Sequence, residues 1–206
     1  EITMKSIVLE RLQADHQRYE SLLCVLDRQL HVAACHEIPD YSLLAELFHY
    51  LTRQPEEWHH RVEDELFERL AERQLLSRET LDVLLEEHRR IETYGRELEA
   101  AFRQMQDKSA DEVSSNLLNL AKAFSELYHH HLHTENRQVF SSAAQHVQVD
   151  DILPDASLNE PADGGAGFEQ LYRQIAADRT GLQLGHGAEA DYCPLCDAHP
   201  EPRTRP

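Results

Sequence analysis

The sequence predicts an all-α fold, an up-down-up-down four-helix bundle followed by a C-terminal extension. Three observations support this prediction. Apolar residues recur at helical spacing in four long segments, patterns typical of β-strands are nearly absent, and His and Glu residues repeat 72 positions apart. We divide the 206 residues into the bundle (6–146), a linker with a short docking helix (147–180) and a flexible tail (181–206).

The first two helices are predicted from their periodicity and their caps. The first covers about residues 6–32. Asp40 or Ser42 would cap the second, because short polar side chains accept hydrogen bonds from N–H groups of the first helical turn. Pro55 either kinks this second helix or divides it in two before its end near Gln74, because proline cannot donate the helical hydrogen bond.

The third and fourth helices follow the same reasoning. The third begins near Ser77, and Gly95 weakens it mildly. A capping box over residues 109–112 would begin the fourth helix, which ends near His146. Beyond the bundle, residues 168–177 show one more short helical pattern, which we expect to dock on the bundle.

The internal repeat consists mainly of residues that bind metals. His16 and His59 are 43 residues apart, and so are His88 and His131. In each copy a Glu follows the second His by four residues. The repeat mates are His16/His88, Glu20/Glu92, His59/His131 and Glu63/Glu135.

This spacing predicts one metal site between two helix pairs. Residues i and i+4 share a helix face, so each His-x-x-x-Glu directs an imidazole and a carboxylate to one place. At 1.5 Å per residue, the predicted bounds put all four His residues within about two turns of one level. Imidazole suits iron, copper, zinc and nickel, and no cysteine lies nearby to indicate an iron–sulfur cluster or a structural zinc. Manganese also accepts these ligands.

Composition excludes several classes of partner. The net charge of −18 argues against nucleic acid and against anionic membranes. No apolar run approaches the length of a transmembrane helix, no signal peptide is visible, and we expect a cytoplasmic protein. Cys24 and Cys35 are expected to be ordinary thiols.

The motifs resemble those of bacterial hemerythrin-like (HHE cation-binding) domain proteins. The residues that carry the resemblance are His59-His60-Arg61-Val62-Glu63 after Pro55-Glu56-Glu57-Trp58, together with Asp15-His16, Glu87-His88 and His131-Leu132-His133-Thr134-Glu135. The resemblance covers roughly residues 6–146. It implies a four-helix bundle around two non-heme, carboxylate-bridged iron ions that bind or sense dioxygen or nitric oxide. It implies His16, His59, His88 and His131 as terminal ligands and Glu63 and Glu135 as bridging carboxylates.

One position departs from the oxygen-carrying members of that family. They place a second His four residues after the ligand of the third helix, where this chain has Glu92. His60 or Glu92 would complete the ligand set, with Glu20 as a further alternative. The other His residues of the fourth helix face away from His131 by helix geometry, so we expect them at the surface or behind the ligands; they are His129, His130 and His133.

Three functions remain open from the sequence. The first is a non-catalytic module that binds or senses dioxygen or nitric oxide. The second is a di-iron enzyme acting on oxygen, peroxide, nitric oxide or ferrous iron, favoured by Glu92. The third is a metal-dependent regulatory protein whose partner the sequence does not name, with Cys193 and Cys196 as the recognition element. These two cysteines have the spacing of half a metal knuckle, which His186 and His199 could complete.

Overall fold

A computed structural model describes residues 7–108, 112–146 and 166–177, and every element among them is helical. The predicted all-α helical bundle is confirmed for these residues. The elements are α1 Ile7–Ala34, α2 Tyr41–Glu57, α3 His59–Glu72, α4 Arg78–Lys108, α5 Ser115–Thr134, a π-helical segment Glu135–Phe140, α6 Ser141–His146 and α7 Ala166–Ala177. None of these helices is both long enough and apolar enough to cross a membrane.

Four rods pack in a closed ring. They are α1, then α2 continued by α3, then α4, and finally α5 continued by the π-helical segment and α6. The first rod packs against the second and the fourth, and the third packs against the second and the fourth. The most extensive of these interfaces joins α2 to α4.

Buried apolar side chains form two clusters along this ring. The first cluster surrounds Phe48, Phe102 and Phe124, and the second contains Leu12 and Phe67. The α1 and α4 helices pass from the second cluster to the first, whereas the other two rods pass from the first to the second. This alternation supports the predicted up-down-up-down order. Between the two clusters every rod contributes buried His or Glu side chains.

The second rod is broken, as one of the two alternatives for Pro55 anticipates. Asp40 caps α2 by accepting from the Leu43 N–H over 3.0 Å. The helix continues past Pro55 and ends at Trp58, whose φ of −145° and ψ of −45° leave the helical region. The guanidinium of Arg11 lies 3.8 Å above the Trp58 ring. A new helix, α3, therefore starts at His59.

The fourth rod starts later than predicted and changes its winding. Ser114 is its N-cap and accepts from the Leu117 N–H over 3.3 Å, whereas Glu112 lies outside the helix. Ser109, which we predicted as the cap, lies outside the described residues. The rod is α-helical to Thr134 and π-helical from Glu135, and such π segments occur often at functional sites.

The short C-terminal helix α7 packs against α2. Phe168 lies against the rings of His49 and Tyr50, and Ile175 is only 1% exposed. Glu169 forms an ion pair with Arg18 of α1 over 2.9 Å. Residues 147–165 and 178–206, which include the Cys193/Cys196 motif, lie outside the described residues.

Candidate metal centre

The centre lies in the polar layer between the two apolar clusters. Each of the four rods contributes to it, and every member is buried among apolar or aromatic neighbours. Its members are His16 of α1, His59, His60 and Glu63 of α3, His88 of α4, His131 of α5 and Glu135 of the π-helical segment. The structure thus brings together the six residues that the resemblance implies as ligands, and with them His60, one of the alternatives for completing the set.

Two imidazoles share one end of the centre, which we call the two-imidazole side. The Nε2 atoms of His16 and His59 are 3.1 Å apart. Oε1 of Glu63 lies 3.1 Å from the first and 3.0 Å from the second. Oε2 of Glu135 lies 3.4 Å from Nε2 of His16.

Three imidazoles share the other end, which we call the three-imidazole side. His60, His88 and His131, together with Glu63, place ligand atoms within 4.8 Å of one another. Oε2 of Glu63 lies 3.5 Å from Nε2 of His88, and Oε1 of Glu135 lies 3.1 Å from Nε2 of His131. Each carboxylate therefore directs one oxygen to each side, as a carboxylate bridging two cations would.

Each of these five imidazoles is held through its other nitrogen. The Nδ1 N–H groups donate to Asn136 (from His16, 3.0 Å), Asp15 (from His59, 3.3 Å), Glu56 (from His60, 2.7 Å), Asp64 (from His88, 2.7 Å) and Glu87 (from His131, 3.0 Å). An imidazole that donates from Nδ1 presents the Nε2 lone pair to a metal, and the partner fixes the ring orientation. All five Nε2 atoms are thereby prepared as ligands.

These acceptors are the functional residues that the sequence prediction missed. A signal for four of them was present in the repeat, because Asp15 and Glu87 precede repeat mates, and Asp64 and Asn136 follow them. The fifth, Glu56, lies one helical turn before His60 across the break at Trp58. No repeat mate marked it, since Leu132 occupies the position that corresponds to His60.

Without a cation, the carboxylates hold protons on their neighbouring imidazoles. Burial alone would lower the pKa of His59, but Glu63 and Asp15 outweigh burial and raise it to about 9. Burial also opposes the charged form of Glu135, yet His131 and His88 lower its pKa to about 2. A cation entering the centre would displace such protons, because ligating imidazoles must be neutral.

His60 behaves differently from its neighbours. Burial and the facing His88 lower the pKa of His60 to about 4, although Glu56 opposes the shift. Its ring stacks on that of His88 with centroids 4.0 Å apart. His60 is therefore neutral at pH 7 and already in the form that binds metals.

Buried polar atoms without a good hydrogen bond indicate whether a metal fits between these side chains. Both oxygens of Glu135, Oε2 of Glu63 and the Nε2 atoms of His88 and His131 are buried and make no hydrogen bond of good geometry, although some of them lie 3.1–3.5 Å from one another. Burying five such atoms at one place is costly unless something satisfies them. Cations bridged by carboxylates would do so, and the imidazole and carboxylate donors suit first-row transition metals. The residues present fit the metals that the motifs imply.

One comparison with known proteins decides the family. The family model of the hemerythrin HHE cation binding domain matches residues 7–143. The chain belongs to the hemerythrin HHE family. Neither a curated protein nor a solved structure matches it.

Two predicted candidates lie outside the hemerythrin centre. Glu92 is one-third exposed and forms an ion pair with Arg96 on the same helix. Neither Glu92 nor Glu20 belongs to the groups of buried ligand atoms found among the described residues. Of the alternatives for completing the set, the structure therefore brings His60 into the centre and leaves both carboxylates outside.

The neighbouring His residues of α5 also lie outside those groups. His129 is partly exposed and pairs with Asp27 of α1 over 3.0 Å. His130 and His133 are likewise only partly buried. Their placement agrees with the prediction that they surround the hemerythrin centre rather than enter it.

Aromatic rings enclose the centre. Phe140 lies 4.9 Å from His16 and Phe67 lies 6.0 Å from His88, measured between ring centroids. Tyr19 lies 5.1 Å from His59 and Tyr128 lies 6.4 Å from His131. These four rings are fully buried and keep bulk water from the polar layer.

Proposed function

We propose that this protein holds two iron ions in the centre and binds or senses dioxygen or nitric oxide there. The observation that supports the proposal most is the arrangement of Glu63 and Glu135, each with one oxygen toward either group of imidazoles. Ferrous ions held by these residues would supply the electrons for binding a diatomic molecule. Five imidazoles with only two carboxylates favour iron over manganese, since manganese prefers oxygen ligands.

The unequal sides suggest where a small ligand would enter. His60 gives one side a third imidazole, whereas the other side has only His16 and His59. The two-imidazole side therefore offers fewer protein donors, and we place the exchangeable ligand there. Phe140 and Tyr19 line this side, so the surroundings admit a small apolar molecule more readily than a charged one.

The nearby hydroxyl groups favour binding over catalysis. The Tyr19 hydroxyl donates to Gln54, and the Tyr128 hydroxyl donates to the carbonyl oxygen of Leu51 over 3.1 Å. Both hydroxyl protons therefore point to acceptors outside the centre. Because reduction of oxygen or nitric oxide requires protons, this arrangement favours binding. Glu92, whose position favoured an enzyme, pairs with Arg96 instead.

The test is anaerobic loading of the full chain with ferrous iron, followed by metal analysis and visible spectroscopy before and after exposure to each gas. We expect two irons per chain and an absorption band that appears with gas and disappears when the gas is removed. A His59→Ala variant should lose the band, whereas His146→Ala, an exposed control, should keep it. Repeated consumption of oxygen with turnover would instead establish the enzyme, and less than one iron per chain would refute the proposal.

A further inference from the structure

The acceptors behind the imidazoles differ in charge. On the three-imidazole side, His60, His88 and His131 all donate to carboxylates. On the two-imidazole side, His59 donates to Asp15, but His16 donates to the neutral amide oxygen of Asn136. Among these five imidazoles, His16 alone lacks an anionic acceptor.

The two halves of the repeat carry different residues at this place, although the geometry of the two bonds corresponds. Asn136 follows the carboxylate Glu135, and its repeat mate Asp64 follows Glu63. Each accepts from the Nδ1 N–H of the other half's first His, over 3.0 Å for Asn136 and 2.7 Å for Asp64. The same geometry therefore holds an anion at one end of the centre and a neutral group at the other.

The two shortest of the five bonds lie on the three-imidazole side, whose third bond, from His131 to Glu87, measures 3.0 Å. Two of the three bonds on the three-imidazole side measure 2.7 Å, within the range of charge-assisted hydrogen bonds. The two bonds on the other side measure 3.0 and 3.3 Å. Asp15, the acceptor at 3.3 Å, also interacts electrostatically with Arg18. The positive charge of Arg18 offsets part of the negative charge that Asp15 presents to His59. Neither bond on the two-imidazole side is as short as 2.7 Å, and the neutral Asn136 is the one difference in acceptor charge between the sides.

A carboxylate behind an imidazole makes that imidazole a stronger metal ligand, because the developing positive charge on the ring is stabilised. A neutral amide gives much less of this effect. We propose that Asn136 is a positioning residue: it holds the His16 ring in place but keeps His16 a weak metal ligand. The two-imidazole side then binds its metal less tightly than the smaller number of ligands alone would explain. This inference rests on the metal centre of the proposed function.

The experiment replaces one acceptor at a time without changing its shape. Metal-free full chain is titrated with Co²⁺ alone, and the visible absorption of the bound ion follows occupancy. The wild-type protein should bind in two phases, one tight and one weak. Asn136→Asp should tighten the weak phase about 10-fold and leave the tight phase unchanged, as expected for an outer-shell partner.

Two further variants identify the phases and guard against misfolding. Asp64→Asn should weaken the tight phase by a similar factor and leave the weak phase in place. Asp15→Asn should weaken the weak phase further. If circular dichroism shows that Asn136→Asp does not fold, an unchanged weak phase in Asp15→Asn overturns the inference, because the acceptor charge would then not set the affinity of that side. If Asn136 only orients the His16 ring, the Asn136→Asp variant should bind Co²⁺ with unchanged affinity, since Asp accepts the same hydrogen bond.

The possible outcomes separate this inference from the proposed function. Two phases that do not respond to Asn136→Asp, or a tight phase that responds to it, overturn the inference and leave the metal centre standing. If the wild-type protein binds no Co²⁺, both fail. A selective gain in the weak phase supports the inference.

Discussion

Asp15 of α1 accepts a hydrogen bond from His59 of α3, 44 residues further along the chain, over 3.3 Å. The same separation of 44 residues joins Glu87 to His131 over 3.0 Å. Each bond joins the two rods of one half of the repeat. The bonds from His16 to Asn136 and from His88 to Asp64 join different halves. Bonds within halves and between halves together fix all four repeated imidazoles.

Removing one of the two carboxylates that we propose to bridge the irons should lower the metal content of the centre. Glu135→Gln keeps the size of the side chain but replaces an anion by an amide, which neither bridges cations nor offsets their charge. We expect the iron content to fall from two to one or fewer per chain, as measured by elemental analysis of the loaded protein.

Glu92→Gln is the matched control for that experiment. It makes the same chemical change on a carboxylate that pairs with Arg96 at the surface. Two irons should remain. Loss of iron in this variant, with full content in Glu135→Gln, would mean that Glu92 and not Glu135 is the ligand.

At Gly95, α4 lies directly against Thr52 of α2. A Cβ atom at this position would overlap the Oγ1 atom of Thr52 and lie 3.2 Å from the ring of Phe124. Gly95→Ala should therefore lower the free energy of unfolding by about 1–3 kcal/mol, although alanine favours helix more than glycine does. Chemical denaturation measures the change. Gly167→Ala meets no atom within 4 Å and should not destabilise the protein.

The docking of α7 should depend on Ile175. This side chain is 1% exposed and joins the first apolar cluster, so Ile175→Ala should cost about 2–4 kcal/mol of docking free energy. Hydrogen exchange should speed up in residues 166–177 and stay slow in α4. Gln170→Ala, on the exposed face of the same helix, should leave exchange unchanged; faster exchange throughout the bundle in Ile175→Ala would show that α7 is not a separate unit.

Glu99 should contribute stability that acid removes. Burial would raise the pKa of Glu99, but hydrogen bonds from His49 and Arg103 outweigh it and lower the pKa. A lowered pKa in the folded state adds stability above the unfolded pKa of about 4.5, and this stability is lost as the pH falls below it. Glu99→Gln should thus lower the melting temperature at pH 7, and its melting temperature should converge with that of the wild type once the pH falls below the lowered folded-state pKa of Glu99. Glu97→Gln, an exposed neighbour, should show no such convergence.

The repeat predicted most of the centre because its constraints are local. A His and a Glu four residues apart lie on the same side of a helix, and the 72-residue offset selected four such pairs from among 14 His residues. All four His residues of these pairs reach the centre, but of the four Glu residues only Glu63 and Glu135 do. The level of each pair along its rod follows from the length of the helix. Periodicity and caps therefore suffice to place His16, His59, His88 and His131 close together.

The fifth imidazole could not be predicted in this way. His60 is the second residue of α3, directly after the break at Trp58, and sequence alone leaves open whether proline kinks a helix or divides it. The exclusion of Glu92 depends on the rotation of α4, which buries His88, Ile91 and Gly95 instead. Rotation and breaks result from packing between rods, and no single-helix pattern encodes them.

The difference between Asn136 and Asp64 bears on how the two ends of such a centre can come to differ. Two identical helix pairs associating as separate chains would give both ends of the centre the same acceptors, and any mutation would alter both ends at once. Here both halves lie on one chain, so Asp64 and Asn136 can differ, and His60 has Leu132 as its counterpart. Because both halves lie on one chain, one end of the centre can change its acceptors without a matching change at the other.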